Sequence, residues 1–270
     1  MTEPTLLVER QSHVATVTLN RPSAMNSLSP RLVVELADCW HELAAETAIH
    51  AIVITGAGDR AFCAGADLKR FVPLGAGLRA PEDDWDRRVL ADPGILDTAL
   101  LRSFDVGKPV ITAIQADAVG GGFELIQASD LRVMASTAHL SLKEVKWGLF
   151  PAGGSTVLLP RQLPWAIAME LLITGRELTA DEALAHGLVN RVTAPDQVLP
   201  VAQQLALLVA SLPPPAVQAI RRSAYLARSK TIADGLAMES EISRPIFGTR
   251  QAAEGLAAFA ERRAPTIQRS

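Results

Sequence analysis

The run from Val119 to Asp130, VGGGFELIQASD, constrains the fold of this chain more than any other stretch. Three glycines, Gly120, Gly121 and Gly122, follow an apolar strand-like stretch and precede a run typical of a helix. Glycine tolerates a positive φ without steric cost, so the backbone can turn sharply here and expose its amide hydrogens. The start of a helix also carries unpaired N–H groups and a partial positive charge. The run therefore predicts a strand, a tight turn and a helix whose first turn can stabilise negative charge.

Glu124 lies in the first turn of that helix and limits which ligand the turn can receive. A carboxylate there would repel a phosphate, the usual ligand of a glycine turn before a helix. The glycines also lack the spacing of a dinucleotide-binding turn. The turn is better suited to a neutral group that becomes negative during a reaction, with the carboxylate placed to move protons.

Two further clusters fit the same chemistry. Ala64-Gly65-Ala66-Asp67 forms a small-residue turn after a predicted strand, within a segment, Ala61 to Arg70, that is predicted to open a short helix. Two turns built of glycine and alanine can present two amide hydrogens to one oxygen, which is an oxyanion hole. Glu144 lies twenty residues beyond Glu124, at the end of a predicted strand and before Gly153-Gly154. Two carboxylates beside such a hole can divide the roles of acid and base.

Taken singly, several of these residues have simpler explanations. Glu144 alone would be a surface acid paired with Lys143 or Lys146. Asp67 is better explained as a helix N-terminal residue that satisfies backbone N–H groups. Arg262 belongs to a segment of several charges and would be one more solvated cation. The three clusters together favour the catalytic interpretation of the two glutamates.

The order of elements predicts an α/β core followed by a helical region. Strands and helices alternate up to about residue 195, and only helices are predicted beyond it, which divides the chain into 1–197 and 198–270. Residues 71–97 mix proline, glycine and acidic residues, and predict a loop leading into a helix over about 82–103.

Two helix starts carry clear capping signals. Ser29 precedes Pro30 and predicts the cap of a helix over 30–47. Thr179 precedes DEALAHG, and Gly187 is the expected stop of that helix.

Composition excludes several classes of function. The chain has 270 residues, a net charge of −3 and 4% aromatic residues, so nucleic acid and anionic membranes have no electrostatic reason to bind it. Cys39 and Cys63 are too few for a disulfide framework, and no histidine falls in a metal-ligand spacing. The N-terminal sequence lacks the pattern of a signal peptide, and no apolar stretch approaches membrane-spanning length. A cytoplasmic protein without a metal is expected.

Three motifs together resemble those of the crotonase, or enoyl-CoA hydratase/isomerase, superfamily. They are FCAGADL at 62–68, GGGFEL at 120–125, and Glu144 followed by PAGG at 151–154, and the resemblance extends to EGLAAFAERR at 254–263. It implies an α/β fold with a crotonase-like ββα spiral core and a C-terminal helical trimerisation region. It also implies acyl-CoA thioester substrates, so that coenzyme A enters as part of the substrate and no separate cofactor is expected. The implied assembly is a homotrimer or a homohexamer formed as a dimer of trimers.

The resemblance also implies a role for each matching residue. The amides of Ala66 and Gly121 would form the oxyanion hole. Glu144 would exchange the proton at Cα, while Glu124 would hold and activate the water that adds at Cβ. The implied coenzyme A contacts are Ala64, Ala66, Asp67, Leu68, Lys69 and, in a neighbouring subunit, Phe259 and Arg262.

Ala152 departs from the family pattern, because hydratases commonly have glycine at a position whose backbone helps to hold the water. Its methyl group is expected to narrow that spot. Hydration of a trans-2-enoyl-CoA is the first hypothesis. The second is double-bond isomerisation, which needs only one base, or another crotonase-type reaction of an acyl-CoA, such as hydration of unusual acyl groups. The third is an acyl-CoA-binding oligomer without catalysis. Residues 71–97 would wall the acyl pocket in each case.

Overall fold

The computed structural model describes residues 3–266, which form two β-sheets surrounded by helices. The strands are β1 (Leu6–Gln11), β2 (Val14–Leu19), β3 (Ala51–Gly56), β4 (Val110–Ile114), β5 (Ala118–Val119), β6 (Leu131–Ala135), β7 (His139–Ser141), β8 (Glu177–Thr179) and β9 (Arg191–Thr193). The α-helices are α1 (Pro30–Ala45), α2 (Phe71–Gly75), α3 (Asp84–Ala91), α4 (Ile95–Ala99), α5 (Gly121–Gln127), α6 (Ser155–Gln162), α7 (Trp165–Thr174), α8 (Ala180–Ala185), α9 (Val198–Ala210), α10 (Pro214–Ala227), α11 (Ile232–Phe247) and α12 (Arg250–Ala260). Short 3-10 helices cover Pro22–Ala24, Lys143–Trp147 and Pro195–Gln197.

The larger sheet has the strand order β1-β2-β3-β4-β6-β9. Its first two strands form an antiparallel hairpin, and all other neighbours are parallel. Every residue of β3 and β4 is buried, as expected for the apolar runs AIVITG and VITAI in strands that are covered on both faces. The predicted α/β class is confirmed.

Helix α9 packs against the middle of this sheet, on β3, β4 and β6. Its buried residues recur every four positions, which places them on one face of the helix. They are Val198, Ala202, Ala206 and Ala210. The first helix beyond residue 197 is therefore part of the packed core, and the helices with few buried residues begin at α10. The division at 197 and 198 stays a prediction.

The smaller sheet brings the two predicted turns together. β5 pairs with β7, and an isolated bridge joins Cys63 to Ala118 in β5. A second bridge joins Leu28 to Ala66. Since α5 begins directly after β5, the small-residue turn lies beside the glycine turn.

Two predicted helices are wrong in their extent. The helix expected to open within Ala61 to Arg70 begins only at Phe71, as α2, and the residues before it form a turn in which the Asp67 carboxylate accepts the N–H groups of Lys69 and Arg70. The helix expected over 82–103 is two helices, α3 and α4.

The break between α3 and α4 follows from its sequence, Asp92-Pro93-Gly94. Proline lacks an N–H group and disfavours helical backbone in the residue before it. The Asp92 carboxylate also accepts the N–H of Gly94 at 2.9 Å.

The predicted caps are confirmed. The Ser29 hydroxyl accepts the N–H of Leu32, and Thr179 forms a reciprocal capping box with Glu182.

Within residues 3–266, no single helix has the length and apolarity to cross a membrane. The segments Pro195–Ala210 and Pro214–Ala227 are long and apolar enough only when they are taken together, and they are bent by 107° relative to each other.

Candidate active site

The amide of Gly121 is available to a ligand because of its place in the fold. Gly121 is the first residue of α5, where a backbone N–H has no partner within the helix. Gly120 precedes it with φ +54°, a conformation that glycine adopts at little cost. The turn is also too tight for a larger residue, since a Cβ on Gly122 would lie 2.3 Å from the Cys63 carbonyl oxygen.

The amide of Ala66 is available for a different reason. Leu28 bonds to both neighbours of Ala66: it donates its N–H to the Gly65 carbonyl at 2.8 Å and accepts the N–H of Asp67 at 3.0 Å. In a parallel bridge of this kind the intervening residue directs its own N–H to the opposite side. Within residues 3–266 the Ala66 N–H has no hydrogen-bond acceptor.

The two amides lie next to each other. A Cβ built on Gly121 would be 3.8 Å from the Ala66 nitrogen, and one built on Gly65 would be 3.2 Å from the Gly121 nitrogen. Both residues line the same cavity. Two free donors that face one cavity satisfy the geometric requirement for holding an oxyanion.

Glu124 is buried beside these donors, with only 4% of its surface exposed. Burial raises the pKa of Glu124 to about 7, and the nearby Glu144 carboxylate adds to the rise, while hydrogen bonds from Ser155 and Gly153 oppose it. One of these bonds joins the Ser155 N–H to Oε1 of Glu124 at 3.3 Å. Gly153 must be glycine for this approach, because a Cβ there would lie 2.3 Å from Oε2 of Glu124. The result is a carboxyl group that changes its charge near neutral pH.

Glu144 faces the glycine turn from the other side. It lies in the first turn of the 3-10 helix Lys143–Trp147, which the sequence did not predict. A Cβ on Gly120 would be 2.4 Å from Oε1 of Glu144, so the carboxylate rests directly against that turn. Oε2 is buried and has no hydrogen-bond partner in the described part of the chain, and burial raises the pKa of Glu144.

The simple surface pairing of Glu144 is not found. Lys143 instead forms an ion pair with Glu177 at 2.8 Å, and no ion pair within residues 3–266 includes Glu144. A half-buried carboxylate with a free oxygen is more suited to contact with a ligand than to holding the surface together.

These groups line a cavity of about 320 Å³. The remaining wall is mostly apolar, and residues 71–97 contribute part of it, as expected. The larger apolar lining side chains are Leu28, Leu68, Phe71, Val72, Leu96, Leu100, Val119, Trp147, Leu149 and Phe150. Trp147 and Phe150 are 73% and 68% exposed, so the rim of the cavity is apolar as well. This composition suits a hydrocarbon chain that ends in one polar reacting group.

The predicted coenzyme A residues are only partly at this cavity. Ala64, Ala66 and Leu68 line it, whereas Lys69 and Asp67 do not. Asp67 holds the local turn and pairs with Arg21 at 3.1 Å, which matches the structural explanation of this residue.

Phe259 lies near the end of α12, and Arg262 follows that helix. Neither lines the cavity of its own chain. Phe259 is 84% exposed, and a contact from a neighbouring subunit stays a prediction for both residues.

Ala152 is an exposed part of the cavity wall. Its carbonyl oxygen accepts a hydrogen bond from Nη1 of Arg102 at 2.6 Å. Among residues 3–266, no three His, Cys, Asp or Glu side chains are arranged to hold a metal ion.

Sequence reasoning missed two residues near Glu124. Ser155 donates its N–H to the Glu124 carboxylate, and Gln127 contacts the Ser155 hydroxyl. Gln127 lies one helical turn after Glu124, and Ser155 directly follows Gly153-Gly154. The helical spacing could have drawn attention to Gln127, but nothing local links it to Ser155.

Comparison with known proteins agrees with this geometry. The family model described as enoyl-CoA hydratase/isomerase matches residues 9–269. An enoyl-CoA hydratase of Mycobacterium tuberculosis is 38% identical over 265 residues, which are 98% of this chain and 97% of that protein. The (E)-benzylidenesuccinyl-CoA hydratase of Thauera aromatica is 36% identical over 261 residues, which are 97% of this chain and 98% of that protein. The crystal structure of an enoyl-CoA hydratase from Mycobacterium marinum matches with a TM-score of 0.88 and 36% identity, and the match covers 99% of this chain and 100% of that chain.

Proposed function

Because the chain belongs to the enoyl-CoA hydratase/isomerase family and has its crotonase-type fold, we propose that it is an enoyl-CoA hydratase. It is a hydro-lyase that adds water reversibly, in syn fashion, to a trans-2-enoyl-CoA thioester. The observation that carries this function is the pair of carboxylates, Glu124 and Glu144, on either side of two free backbone amides in one apolar cavity.

The amides of Ala66 and Gly121 hold the thioester oxygen. When water adds at Cβ, negative charge moves onto this oxygen, and the Gly121 N–H at the start of α5 and the Ala66 N–H of the neighbouring turn stabilise the enolate. Donors of this kind act strongly because they are fixed before the reaction and lie away from bulk water.

The two glutamates divide the proton transfers. Ionised Glu124 takes a proton from the water as its oxygen bonds to Cβ, and protonated Glu144 delivers a proton to Cα. The reaction ends with Glu124 protonated and Glu144 ionised, and exchange with solvent restores the first state. Burial raises the pKa of Glu124 to about 7, which makes both of its protonation states accessible near neutral pH, and burial also raises the pKa of Glu144.

Replacement of each glutamate by its amide tests this function. Glu124→Gln and Glu144→Gln are each expected to lower turnover of crotonyl-CoA or a longer enoyl-CoA by about 100- to 10,000-fold, since each removes a proton-transfer group. The loss of ultraviolet absorbance of the conjugated thioester measures the rate. Glu177→Gln, on the neighbouring surface, is the matched control and should keep the wild-type rate. Wild-type rates in both site variants would refute the assignment.

Isomerisation is the second candidate, and the observation in its favour is Ala152 in the cavity wall. Migration of a double bond needs one base at the carbon that loses the proton. A Glu124→Gln variant that still moves the double bond of a 3-enoyl-CoA, but no longer hydrates a 2-enoyl-CoA, would favour isomerase. A protein that only binds acyl-CoA is disfavoured, because withdrawing two carboxylates from water without a cationic partner within residues 3–266 costs free energy that binding does not require.

The substrate is an acyl-CoA thioester, and we propose that coenzyme A reaches the site as part of it, with no separate cofactor. We further propose a homotrimer, or a homohexamer built from two trimers, in which Phe259 and Arg262 of a neighbouring copy contact the coenzyme A. The support is the exposed apolar surface of α10 and α11, which includes Ile220, Ile232 and Leu236. A cytoplasmic location is proposed on the basis of two buried free thiols, which are typical of a reducing compartment.

A further inference from the structure

One arginine side chain joins two parts of the cavity wall from the outside. Arg102 follows α4, and its Nη1 donates to the Ala152 carbonyl oxygen at 2.6 Å and to Oδ1 of Asp97 at 3.0 Å. Leu96 and Leu100 of α4 line the cavity, and so does Ala152, but Arg102 does not. The guanidinium therefore ties α4 to the loop that precedes α6 without lining the cavity itself.

The direction of Arg102 is set by an unusual end of α4. The N–H of Leu101 donates to the Thr98 carbonyl at 3.0 Å, and the N–H of Arg102 donates to the Asp97 carbonyl at 2.8 Å. These are the bonds of a Schellman motif, whose left-handed position is usually occupied by glycine. Here Leu101 occupies it, with φ +54°, and packs against the hydrophobic core. A residue in this conformation persists only where its surroundings hold it, so the backbone that carries Arg102 is firmly placed.

The loop that Arg102 holds contacts Glu124 through its next residue. A peptide bond is planar and trans, so a fixed Ala152 carbonyl also fixes the orientation of the peptide that leads to Gly153. Gly153 is closely packed, since a Cβ there would lie 2.3 Å from Oε2 of Glu124 and 2.6 Å from Cδ1 of Leu100. A shift of the Ala152 peptide would therefore disturb the Glu124 carboxylate directly.

A surface ion pair with Asp97 is the simpler explanation of Arg102. The two side chains are 44% and 35% exposed, and a pair as exposed as this adds little to stability. The bond to Ala152 differs, because it joins residues 50 positions apart in sequence. The aliphatic part of Arg102 also lies beside the loop, since a Cβ on Gly154 would be 3.8 Å from its Cγ and Cδ.

We propose that Arg102 is a positioning residue for Glu124. By holding the Ala152 carbonyl, it keeps Gly153 against the Glu124 carboxylate, and so keeps that carboxylate where it takes a proton from water. Arg102 acts through the loop and does not reach the substrate. The proposal rests on the proposed function, in which Glu124 activates the water and Glu144 exchanges the proton at Cα.

The two glutamates allow an effect on Glu124 to be separated from general damage to the site. A Cβ on Gly120 would meet Glu144, whereas one on Gly153 would meet Glu124. Exchange of the Cα proton of butyryl-CoA, a saturated thioester, in deuterated water needs Glu144 and the oxyanion hole but no attack of water at Cβ. Loss of Arg102 should therefore lower hydration and leave this exchange unchanged.

Steady-state hydration of crotonyl-CoA and Cα exchange of butyryl-CoA, followed by mass spectrometry, test the proposal on the full chain. Arg102→Met should lower kcat for hydration about 10- to 100-fold, because a small displacement of a catalytic group has an effect of this size. KM and the exchange rate should stay close to the wild-type values. Arg102→Lys, which keeps a donor for the Ala152 carbonyl, should recover most of the lost kcat.

Two variants are matched controls. Asp97→Asn removes the ion pair but leaves the bond to Ala152. Arg161→Met removes another arginine whose Nη1 donates to a backbone carbonyl, that of Val157. Both controls should keep a kcat close to that of the wild type.

Any of three results would overturn the proposal: a wild-type kcat in Arg102→Met, an equal loss in Asp97→Asn, or an equal loss of hydration and exchange. If Arg102→Met does not fold, Arg102→Gln, which is too short to reach the Ala152 carbonyl, is measured with the same expectation. A wild-type protein that hydrates no enoyl-CoA refutes the proposed function, and this proposal with it. A failure of this proposal alone leaves hydration by the wild type intact.

Discussion

Helix α5, in the wall of the cavity, and the C-terminal helices α10 and α11 differ sharply in how many of their residues are buried. All seven residues of α5 are buried, including Glu124. None of the fourteen residues of α10 or the sixteen of α11 is buried. Polar contacts join α10 to the core, since Arg221 pairs with Asp130 and the Tyr225 hydroxyl bonds to the Ala128 carbonyl.

The difference separates a region that is closely packed within one chain from a region that leaves apolar surface exposed. Around α5, glycine and small residues allow backbone and carboxylate atoms to approach so closely that a single methyl group would collide. Between α10 and α11, an apolar groove of about 660 Å³ is open and lined by residues such as Ile220, Leu236 and Phe247. Contiguous exposed apolar surface of this kind marks a site of association. The first region therefore holds the two glutamates of the candidate active site, and the second offers the surface for the proposed trimer.

The same substitution should have opposite effects in the two regions. Gly122→Ala would place a methyl group 2.3 Å from the Cys63 carbonyl oxygen and displace the start of α5. Since the Gly121 amide moves with it, kcat/KM for an enoyl-CoA should fall about 100- to 1,000-fold. Gly255→Ala in α12 meets no atom within 4 Å and should raise stability slightly, by about 0.5 kcal/mol, through reduced freedom of the unfolded chain. Steady-state kinetics and thermal melts of both variants measure this, and a harmless Gly122→Ala would contradict the close packing at the oxyanion hole.

The pH dependence of the free energy of unfolding should show that the ionised form of buried Glu124 destabilises the folded protein. Burial raises its pKa to about 7, from an ordinary value near 4.5, so between these values the folded protein holds a proton that the unfolded chain has lost. The stabilising contribution of this proton is complete below pH 4.5 and is lost as the pH rises through 7. Glu124→Gln, which stays neutral, should thus be more stable than the wild type at pH 8 by roughly 3 kcal/mol and about equally stable near pH 4.

Denaturant unfolding at both pH values measures this difference, and the surface provides a contrast. Lys143 lowers the pKa of Glu177, so Glu177→Gln should lose a little stability at neutral pH instead of gaining it. A Glu124→Gln protein less stable than the wild type at pH 8 would mean that Glu124 is not under electrostatic strain.

A charge in the apolar groove should disrupt assembly with little effect on the fold. Leu236→Asp places a carboxylate among the apolar residues that line the groove, whereas Ala237→Asp puts the same charge on α11 outside it. Light scattering should detect a smaller particle for Leu236→Asp alone, with the free energy of unfolding of the monomer within about 0.5 kcal/mol of the wild type. A monomeric wild type would refute the proposed trimer, and with it the contact of Phe259 with a neighbouring coenzyme A.

Local signals in the sequence predicted the parts of the fold that local contacts determine. Ser29 and Thr179 cap helices through bonds to residues three positions away, and such bonds are visible in sequence. The glycine turn before Glu124 was equally clear. The short helix predicted to open within Ala61 to Arg70 begins only at Phe71, after a turn in which the Asp67 carboxylate accepts the N–H groups of Lys69 and Arg70.

The rest depends on contacts between distant segments. Ser155 supports Glu124 across 31 positions of sequence, and Gln127 reaches Ser155 across 28. The periodicity of apolar residues along the sequence does not indicate which distant residues form such pairs. The 3-10 helix that carries Glu144 is only five residues long, which is too short to leave a periodic pattern.

The exposed indole of Trp147 gives the cavity an optical property. Of the four tryptophans, it alone lines the cavity, while Trp40 is fully buried and Trp165, on α7, is exposed away from it. Indole in contact with water emits at longer wavelength than indole covered by hydrocarbon. A chain of methylene groups that enters beside Trp147 displaces water from its ring. The intrinsic tryptophan emission should therefore shift to shorter wavelength when the cavity is occupied.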